Sequence, residues 1–251
     1  MESEIHGCSV LVIGASAGIG RSAAKSFAAG GANVMAVGRR EENLRALADE
    51  VALKWCAADI TEPDEPARII AETIREFGGI DILLNVAAVS PMVLLSQATP
   101  EELLSVFNSN VVGPSQVCRS ALAHLNENAI VAFVSSETVG RPRRGLVPYG
   151  ASKAALEELV NGWRVENPQF RFATVRVGAT IGTDFGRDFG GDLLGECLND
   201  WIKGGHLRAN MMNPADVGDA LAETLAIGFL HPTVELCDFS LRPPGPLADF
   251  G

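Results

Sequence analysis

The segment YGASK places two chemically useful side chains four residues apart. Tyr149 is the only tyrosine among the 251 residues, and Lys153 is one of four lysines. Residues four apart share a helix face, so the phenol and the ammonium can approach each other. A neighbouring cation lowers the pKa of a phenol from about 10 by roughly 1–3 units. For the pair alone, a surface tyrosine beside a solvated lysine is the favoured interpretation. A group that exchanges protons near neutral pH is the alternative, which the rest of the chain must support.

Composition and charge narrow the class of protein. The chain is 47% hydrophobic and carries a formal net charge of −11 at pH 7. An acidic chain of this kind repels nucleic acid and anionic membrane surfaces, so we expect neither as a partner. The N-terminal sequence opens with acidic residues, and its apolar run is too short to span a bilayer.

The spacing of cysteine and histidine indicates neither a metal site nor a disulfide framework. Five cysteines are spread along the chain without a CxxC pair, and the four histidines lack the spacing of metal ligands. We therefore expect no metal, and we interpret the cysteines as thiols in a reducing cytoplasm.

Short apolar runs alternate with helical patterns along the chain. The predicted strands are CSVLVIG, ANVMAVG, DILLNVAAV, AIVAFVSS, FRFATVRVG and TVELCDFS, with LKWCAAD as a weaker candidate. The predicted helices are Ile19–Ala29, Glu41–Leu53, Glu65–Phe77, Pro100–Leu125, Ala151–Glu166 and Pro214–Gly228. This alternation indicates an α/β protein with a doubly wound parallel sheet, Rossmann-like, with helices on both faces. No linker divides residues 1–251, which predicts a single domain.

One long segment interrupts the alternation. Residues 178–213 are rich in glycine and contain a short helical pattern around Leu193–Ile202. A connection of this length in a compact domain is usually a functional lid or a disordered stretch. The aromatic residues Phe185, Phe189 and Trp201 favour a substrate lid with an apolar underside, and a floppy insertion is the alternative.

A glycine-rich loop follows the first predicted strand. In VLVIGASAGIG, the residues Gly14, Gly18 and Gly20 lie between that strand and a helix. Glycine allows a tight turn and a close approach of the backbone to a ligand. The helix N-terminus then directs unpaired N–H groups at a pyrophosphate, so the loop predicts a dinucleotide site.

The end of the second predicted strand indicates which dinucleotide. NAD-binding sheets usually place Asp or Glu there for the ribose 2′-hydroxyl. Here Arg39 and Arg40 follow the strand instead, and guanidinium groups suit a 2′-phosphate. We therefore favour NADP(H) over NAD(H), with Arg39 as the better candidate because it lies nearer the strand end. The alternative is that both arginines pair with Glu41 and Glu42 or cap a turn.

These features together resemble the short-chain dehydrogenase/reductase family in its single-domain form. The matching segments are IGASAGIG for the glycine motif T-G-x-x-x-G-x-G, AADIT for the acidic adenine contact, NVAA for N-N-A-G, and NVVG for an asparagine on a long helix. The family's Ser, Tyr and Lys match Ser136, Tyr149 and Lys153. The resemblance implies an NADP(H)-dependent oxidoreductase that transfers hydride to or from a carbonyl or alcohol carbon.

The resemblance also implies a role for each site residue. Tyr149 would be acid in reduction and base in oxidation, and Ser136 would donate to the substrate oxygen. Lys153 would hold the nicotinamide ribose, and Asn110 would support proton supply to Lys153 through its backbone and a water. The implied cofactor contacts are Gly14, Ser16, Gly18, Ile19, Gly20, Arg39, Arg40, Asp59, Ile60, Asn85, Ala87, Tyr149, Lys153, Gly178, Thr180 and Thr183.

Four positions depart from the family pattern. Ile13 replaces Thr, Val86 the second Asn, Ala88 the Gly, and Val177 a Pro. Replacing both members of a polar pair by apolar groups can be nearly neutral. We therefore expect Ile13 to pack against Val86 or its immediate neighbours.

Two adjacent serines compete for the catalytic position. Alternation along a strand directs Ser135 and Ser136 to opposite faces, so we expect one of them to face the site. Counting back from Tyr149 favours Ser136, and Ser135 is the reserve candidate.

The substrate pocket is predicted from apolar residues near the site. The candidates are Met92, Val93, Glu137, Val139, Phe185 and Trp201, which favour a ketone or alcohol with a hydrophobic body. The segment GRPRRG concentrates Arg141, Arg143 and Arg144, which would attract an anionic substrate, or would form a solvated loop or an intersubunit contact.

Two other functions are compatible with the same residues. An epimerase or dehydratase would retain the nicotinamide, and a dinucleotide sensor would bind it without catalysis. The family resemblance further implies a homodimer or homotetramer formed through Pro100–Leu125 and Ala151–Glu166. The proline-rich C-terminal segment, residues 242–251, is a candidate for packing on a neighbouring subunit.

Overall fold

A parallel β-sheet of seven strands forms the centre of the molecule. The computed structural model describes residues 5–183, 185, 189, 191–231 and 233–248. Parts of the predicted lid and the end of the C-terminal segment therefore lie outside the described residues. In this part of the chain the strands are β1 Ser9–Ile13, β2 Asn33–Gly38, β3 Lys54–Ala57, β4 Ile80–Asn85, β5 Leu125–Ser136, β6 Arg171–Val177 and β7 Asp238–Leu241.

The strand order is β3-β2-β1-β4-β5-β6-β7, and neighbouring strands are parallel. The chain therefore reverses direction across the sheet between β1 and β4. In a doubly wound sheet, ligands bind in the crevice outside the carboxyl ends of the strands at such a reversal. The predicted α/β fold is confirmed, and β7 is shorter than TVELCDFS because its pairing with β6 begins at Asp238.

Helices cover both faces of the sheet. Within the described residues they are α1 Gly18–Ala29, α2 Glu41–Glu50, α3 Glu65–Phe77, α4 Pro100–Phe107, α5 Gly113–Ala121, α6 Val147–Glu166, α7 Gly191–Lys203 and α8 Pro214–Leu230. Among these residues, no helix is long and apolar enough to cross a bilayer.

The helix predicted over Pro100–Leu125 is interrupted. It begins at a capping box, in which Thr99 and Glu102 each accept a hydrogen bond from the other's backbone N–H. A π-helical turn over Asn108–Val112 separates α4 from α5, and a 3-10 turn over Leu122–His124 leads into β5. Such π turns frequently occur at functional sites, and this one contains the predicted site residue Asn110.

The start of α6 also differs from the prediction. The helix begins at Val147 rather than Ala151, with Pro148 in the first turn, where a missing N–H is tolerated. Tyr149 and Lys153 therefore lie on one continuous helix. Their four-residue spacing places both on the face directed at the sheet, where both are buried.

Two apolar cores pack on the two faces of the sheet. Alternate residues of β1 divide between them, with Val10 and Val12 in one core and Leu11 and Ile13 in the other. Val86 packs against the first core, whereas Ala87 packs against the second with Ile13. The neighbour of Val86, rather than Val86 itself, therefore shares the core of Ile13.

The carbonyl oxygen of Ile13 explains this arrangement. It accepts hydrogen bonds from the backbone N–H groups of Val86 at 2.9 Å and Ala87 at 3.1 Å. Main-chain bonding therefore joins the ends of β1 and β4, and no side-chain pair is required there.

The glycine loop between β1 and α1 is packed too closely for larger residues. Gly14 has a φ of +95°, and a Cβ placed on it would lie 2.6 Å from the backbone N of Ala87. A Cβ on Gly20 would collide with the carbonyl oxygen of Gly14. The loop can therefore lie against both β4 and the first turn of α1 because these positions lack side chains.

We predict opposite effects for two glycine-to-alanine substitutions. Gly20→Ala forces the loop backbone to move and should lower the unfolding free energy by about 1–3 kcal/mol. Gly162→Ala, in α6, meets no atom within 4 Å and should raise it by about 0.5–1 kcal/mol. Thermal unfolding of both variants beside the wild type checks this, and equal midpoints would contradict the steric argument.

Candidate active site

A cavity of about 740 Å³ opens at the carboxyl ends of the strands. Its walls come from the segments that follow β1 to β6, which places it at the reversal between β1 and β4. Fifteen of the sixteen predicted cofactor contacts line it, namely Gly14, Ser16, Gly18, Ile19, Gly20, Arg39, Arg40, Asp59, Ile60, Ala87, Tyr149, Lys153, Gly178, Thr180 and Thr183.

Asn85 is the predicted contact that does not line the cavity. Its side chain is buried at the end of β4, and neither its amide N nor its amide O has a hydrogen-bond partner within the described residues. The placement follows from strand alternation, since Asn85 falls on the same face as Leu83.

The glycine loop presents unpaired backbone donors to the cavity. Ala17 precedes α1 in an extended conformation and provides no side-chain cap. The first N–H groups of α1 are therefore available to an anion. The loop itself is held from the side of α2, because the Asn43 amide donates to the Ser16 carbonyl at 3.0 Å and Arg40 Nη2 donates to Ser16 Oγ at 3.2 Å.

Arg39 stands at the other end of the cavity, directly after β2. Its side chain is 65% exposed, and Nη1 lies 3.7 Å from Asp59 Oδ2. Asp59 is oriented by Thr61, whose N–H and hydroxyl both donate to Asp59 Oδ1 at 3.0 and 2.8 Å. The two charged groups that the sequence predicted for the adenosine end are therefore adjacent. Arg40 is turned toward the glycine loop.

Tyr149 and Ser136 meet on the part of the cavity that β5 and α6 form. Tyr149 is 6% exposed, and Ser136 ends β5 beside it. Burial raises the pKa of Tyr149 to about 12, and interaction with the Ser136 hydroxyl and with the charge of Arg143 opposes part of that rise. The phenol is therefore protonated at neutral pH.

The two serines at the end of β5 face opposite directions, as alternation requires. The Ser136 oxygen accepts from the N–H of Thr138 at 3.2 Å and lies 3.0 Å from the Thr138 hydroxyl. The Ser135 hydroxyl donates instead to Glu157 at 2.6 Å. Of the two candidates, Ser136 is the one that the structure brings to Tyr149.

Lys153 is almost completely buried, with 2% exposure. Its ammonium donates to the Val134 carbonyl at 2.7 Å and lies 5.9 Å from the centre of the Tyr149 ring. Burial lowers the pKa of Lys153 to about 8, although the negative charge of Glu157 acts in the opposite direction.

This geometry corrects the expected electrostatics of the pair. The prediction that Lys153 lowers the pKa of Tyr149 is wrong for the protein's own groups, because loss of solvation outweighs the nearby charges. The cation that acts on the phenol is Arg143. Sequence spacing indicated the approach of the two side chains, whereas the depth of burial and the position of Arg143 depend on tertiary packing.

Asn110 connects three elements around the site. From the π turn its Oδ1 accepts from the N–H of Val89 at 2.8 Å, and its Nδ2 donates to the Val89 carbonyl and to Ser152 Oγ, each at 2.9 Å. The Ser152 hydroxyl donates in turn to the Tyr149 carbonyl at 2.7 Å. The side chain thus fixes the segment after β4 against the first turn of α6, a contact that sequence reasoning did not find.

Phe185 is the predicted substrate residue that lines the cavity. Its ring packs edge-on against Tyr149 with centroids 5.1 Å apart, and its carbonyl accepts from Ser90 Oγ at 2.8 Å. Met92 and Trp201 lie instead in a third apolar cluster with Leu146 and Cys197. This cluster joins α7, which carries Cys197 and Trp201, to residues that precede α6. The prediction that Met92 and Trp201 form the pocket wall is wrong because α7 folds back over the segment before α6.

The remaining three predicted pocket residues also lie outside the lining of the cavity. The N–H of Val93 donates to Gly145 at 3.0 Å, and that of Val139 donates to Ser136 at 3.2 Å. Glu137 pairs with Arg143 and with Arg242, each at 3.7 Å. Arg143 lines the cavity in its place.

Comparison with known proteins identifies the family. The family model described as short chain dehydrogenase matches residues 9–189, which is more than half of the chain. The chain belongs to this family.

Curated members of the family share about a third of the aligned residues. A short chain dehydrogenase of Pseudocercospora fijiensis is 34% identical over 167 residues, which is 62% of this chain and 54% of that protein. Versicolorin reductase 1 of Aspergillus parasiticus is 32% identical over 168 residues, which is 62% of each chain. The chain thus spans about half to two thirds of the length of the curated relatives it matches.

Solved structures of the family share the whole described fold. A short chain dehydrogenase from Burkholderia cenocepacia, in complex with NADP, covers 95% of this chain with a TM-score of 0.80 and 25% identity. An alcohol dehydrogenase from Thermococcus sibiricus, complexed with 5-hydroxy-NADP, covers 96% with a TM-score of 0.81 and 21% identity, which shows the fold alone.

We predict that Tyr149 titrates above the value of a free phenol. Because it is the single tyrosine, the ultraviolet absorbance of phenolate reports this group directly, and Tyr149→Phe supplies the blank. The folded protein should ionise near pH 12 and the unfolded chain near pH 10. The raised pKa contributes stability that is present below about pH 10 and is lost as pH rises toward 12. A folded midpoint at or below pH 10 would contradict the dominance of burial.

Proposed function

We propose that the protein transfers hydride between NADP(H) and a carbonyl or secondary alcohol carbon. The observation that carries this proposal is that Tyr149 and Ser136 line the same cavity as the glycine loop. A carbonyl held in the cavity beside them would face a proton donor and a hydrogen-bonding hydroxyl.

The residues present fit a nicotinamide dinucleotide. The uncapped start of α1 suits the pyrophosphate, and the cavity extends from there to Tyr149 in one direction and to Arg39 in the other. When bound, the cofactor supplies or accepts the hydride. Lys153 would hold its ribose hydroxyls, with Asn110 supporting proton supply.

Tyr149 is suited to the direction of reduction. With a pKa of about 12 it is protonated at neutral pH and can donate to the oxygen of a carbonyl as negative charge develops there. Ser136, fixed by Thr138, would hold the same oxygen. For alcohol oxidation Tyr149 must first lose its proton, which the positive charge of Arg143 favours.

The preference for NADP(H) rests on Arg39. Its exposed guanidinium follows β2 at the cavity, where a 2′-phosphate would be accessible to it. The nearby Asp59 is held by Thr61 and by Arg39, so the arginine partly neutralises the carboxylate that an additional phosphate would meet. The Burkholderia structure in complex with NADP supports the same choice.

Further observations support the proposed substrate class, oligomeric state and cellular location. Phe185 and its edge-on partner Phe189 suggest a lid over a substrate with a hydrophobic body, within residues 178–213. Exposed apolar side chains on α4 and α6, including Leu104 and Val165, support a homodimer or homotetramer. The five cysteines are free thiols, which supports a cytoplasmic location.

We predict that Tyr149→Phe retains NADPH binding and loses turnover by about 10²–10⁴-fold, because the proton donor is removed. Ser136→Ala should lower turnover by about 10²–10³-fold. Ser135→Ala is the matched control and should retain most activity, since Ser135 faces Glu157. The ultraviolet absorbance of reduced nicotinamide over a panel of ketones and alcohols measures all four proteins.

Four outcomes would contradict the assignment. A near-normal rate for Tyr149→Phe would show that Tyr149 is not the acid. A larger loss of turnover for Ser135→Ala than for Ser136→Ala would assign the role of Ser136 to Ser135. Substrate conversion without net cofactor consumption would instead identify the epimerase or dehydratase, and tight cofactor binding without any turnover would identify a sensor.

We predict that Arg39→Ala weakens NADPH binding by about 10- to 100-fold and changes NADH binding little, because the 2′-phosphate contact is charge-assisted. Arg45→Ala is the matched control, since Arg45 lies on α2 and pairs with Glu41 at the surface. Fluorescence titration measures the affinities for NADPH and NADH in the wild type and in each variant. An equal loss of both cofactors would rule out a 2′-phosphate contact.

A further inference from the structure

The loop between β5 and α6 directs its three arginines to different surroundings. Arg141 donates to the Gly205 carbonyl at 3.1 Å. Arg144 pairs with Glu196 at 2.9 Å and with Asp200 at 3.1 Å on α7. Arg143 instead has a longer ion pair with Glu137, at 3.7 Å, and lines the cavity beside Tyr149. The two outer arginines anchor the loop to the α7 region, whereas the middle one faces the site.

Arg143 is deeply buried and poorly satisfied. Its side chain is 10% exposed, and its Nε is buried without a hydrogen-bond partner within the described residues. Its ion pair with Glu137 measures 3.7 Å, whereas direct charge-assisted hydrogen bonds are about 2.7–2.9 Å. A buried guanidinium that lacks good partners is costly, so its retention requires an explanation.

The charges around Arg143 leave a positive excess. Glu137 lies 3.7 Å from both Arg143 and Arg242, so one carboxylate is shared between two guanidiniums. Arg141 adds a further positive charge that is felt at Arg143. The cavity wall here therefore matches one additional negative charge, and a single planar guanidinium matches the two oxygens of a carboxylate.

We propose that Arg143 binds a carboxylate of the substrate, which makes the substrate an oxo acid or the corresponding hydroxy acid. This inference rests on the proposed function, because it places the carboxylate near the carbonyl that Tyr149 protonates. In reduction, hydride from NADPH is added to the carbonyl carbon and the Tyr149 proton to the oxygen. The products are the hydroxy acid and NADP⁺, and the carboxylate itself is unchanged.

A second role for Arg143 makes a different prediction. Its positive charge already acts on the Tyr149 phenol, so it could serve proton transfer alone. In that case its loss would affect every carbonyl substrate alike. Binding a carboxylate instead makes the loss selective for acids over their neutral esters, and substrate pairs separate the two roles.

The test uses an aromatic 2-oxo acid and an aromatic 4-oxo acid, each beside its methyl ester. Wild type, Arg143→Gln and Arg143→Lys are compared with the control Arg45→Gln, which removes an equal charge from the exposed surface of α2. For the better acid, Arg143→Gln should lower kcat/KM by about 100-fold while changing the ester less than about threefold. The kcat/KM of Arg143→Lys for the acid should lie between the values for wild type and Arg143→Gln, because lysine keeps the charge and lacks the planar guanidinium.

Binding is measured separately from turnover by calorimetry of the oxo acids with the NADP⁺ complex, in which reduction cannot occur. Wild type should bind an acid more tightly than its ester, and Arg143→Gln should lose that difference. Equal losses for acid and ester, or no preference for the acid in wild type, overturn the carboxylate site while neutral ketone turnover still supports hydride transfer. A selective binding loss without turnover of any carbonyl keeps the anion site and overturns the proposed activity.

Discussion

Exclusion of water from one wall of the cavity is the constraint on which the rest of the site depends. Tyr149, Lys153 and Arg143 are all largely buried there. Burial raises the pKa of Tyr149 and lowers the pKa values of Lys153 and Arg143, and each of these shifts favours the neutral form. The phenol therefore stays protonated. The buried cations are stabilised by nearby oxygen atoms, namely the Val134 carbonyl for Lys153 and the Glu137 carboxylate for Arg143. The protonation states of Tyr149 and Lys153 are then sensitive to any charge that enters the cavity, which is the condition that a bound cofactor or anionic substrate would exploit.

Hydrogen bonds to the main chain hold these buried side chains in place. Lys153 is held by the Val134 carbonyl, and Tyr149 is positioned by Ser152, which Asn110 also contacts. The π turn matters because it brings the Asn110 amide to the backbone of Val89, after β4. Three neighbouring elements at the carboxyl end of the sheet are thereby fixed relative to each other, and neither Asn110 nor Ser152 lines the cavity.

The sequence predicted those features that depend on local pattern. Strand and helix periodicity indicated the parallel sheet, and the glycines after β1 indicated the loop, because close approach of Gly14 to β4 excludes a Cβ. Features set by tertiary packing could not be read in the same way. Phe185 and Trp201 are both aromatic residues of one segment, yet only the path of α7 decides that the first faces Tyr149 and the second packs on Cys197. The raised pKa of Tyr149 has the same origin, since spacing does not report burial.

The proposed anion-binding residue Arg143 lies between Ser136 and Tyr149 in the sequence, but the loop that carries it is held by α7. The match to the family model ends at residue 189, before α7 begins. Yet α7 positions the loop that carries Arg143, because the Trp201 indole donates to the Arg144 carbonyl at 2.9 Å and Glu196 and Asp200 pair with the Arg144 guanidinium. Under the proposed function, we expect a substitution in α7 to displace Arg143 more than Ser136, Tyr149 or Lys153, which belong to β5 and α6. The proposal therefore gives α7 an indirect influence on substrate choice, through its contacts with Arg144 rather than with the substrate.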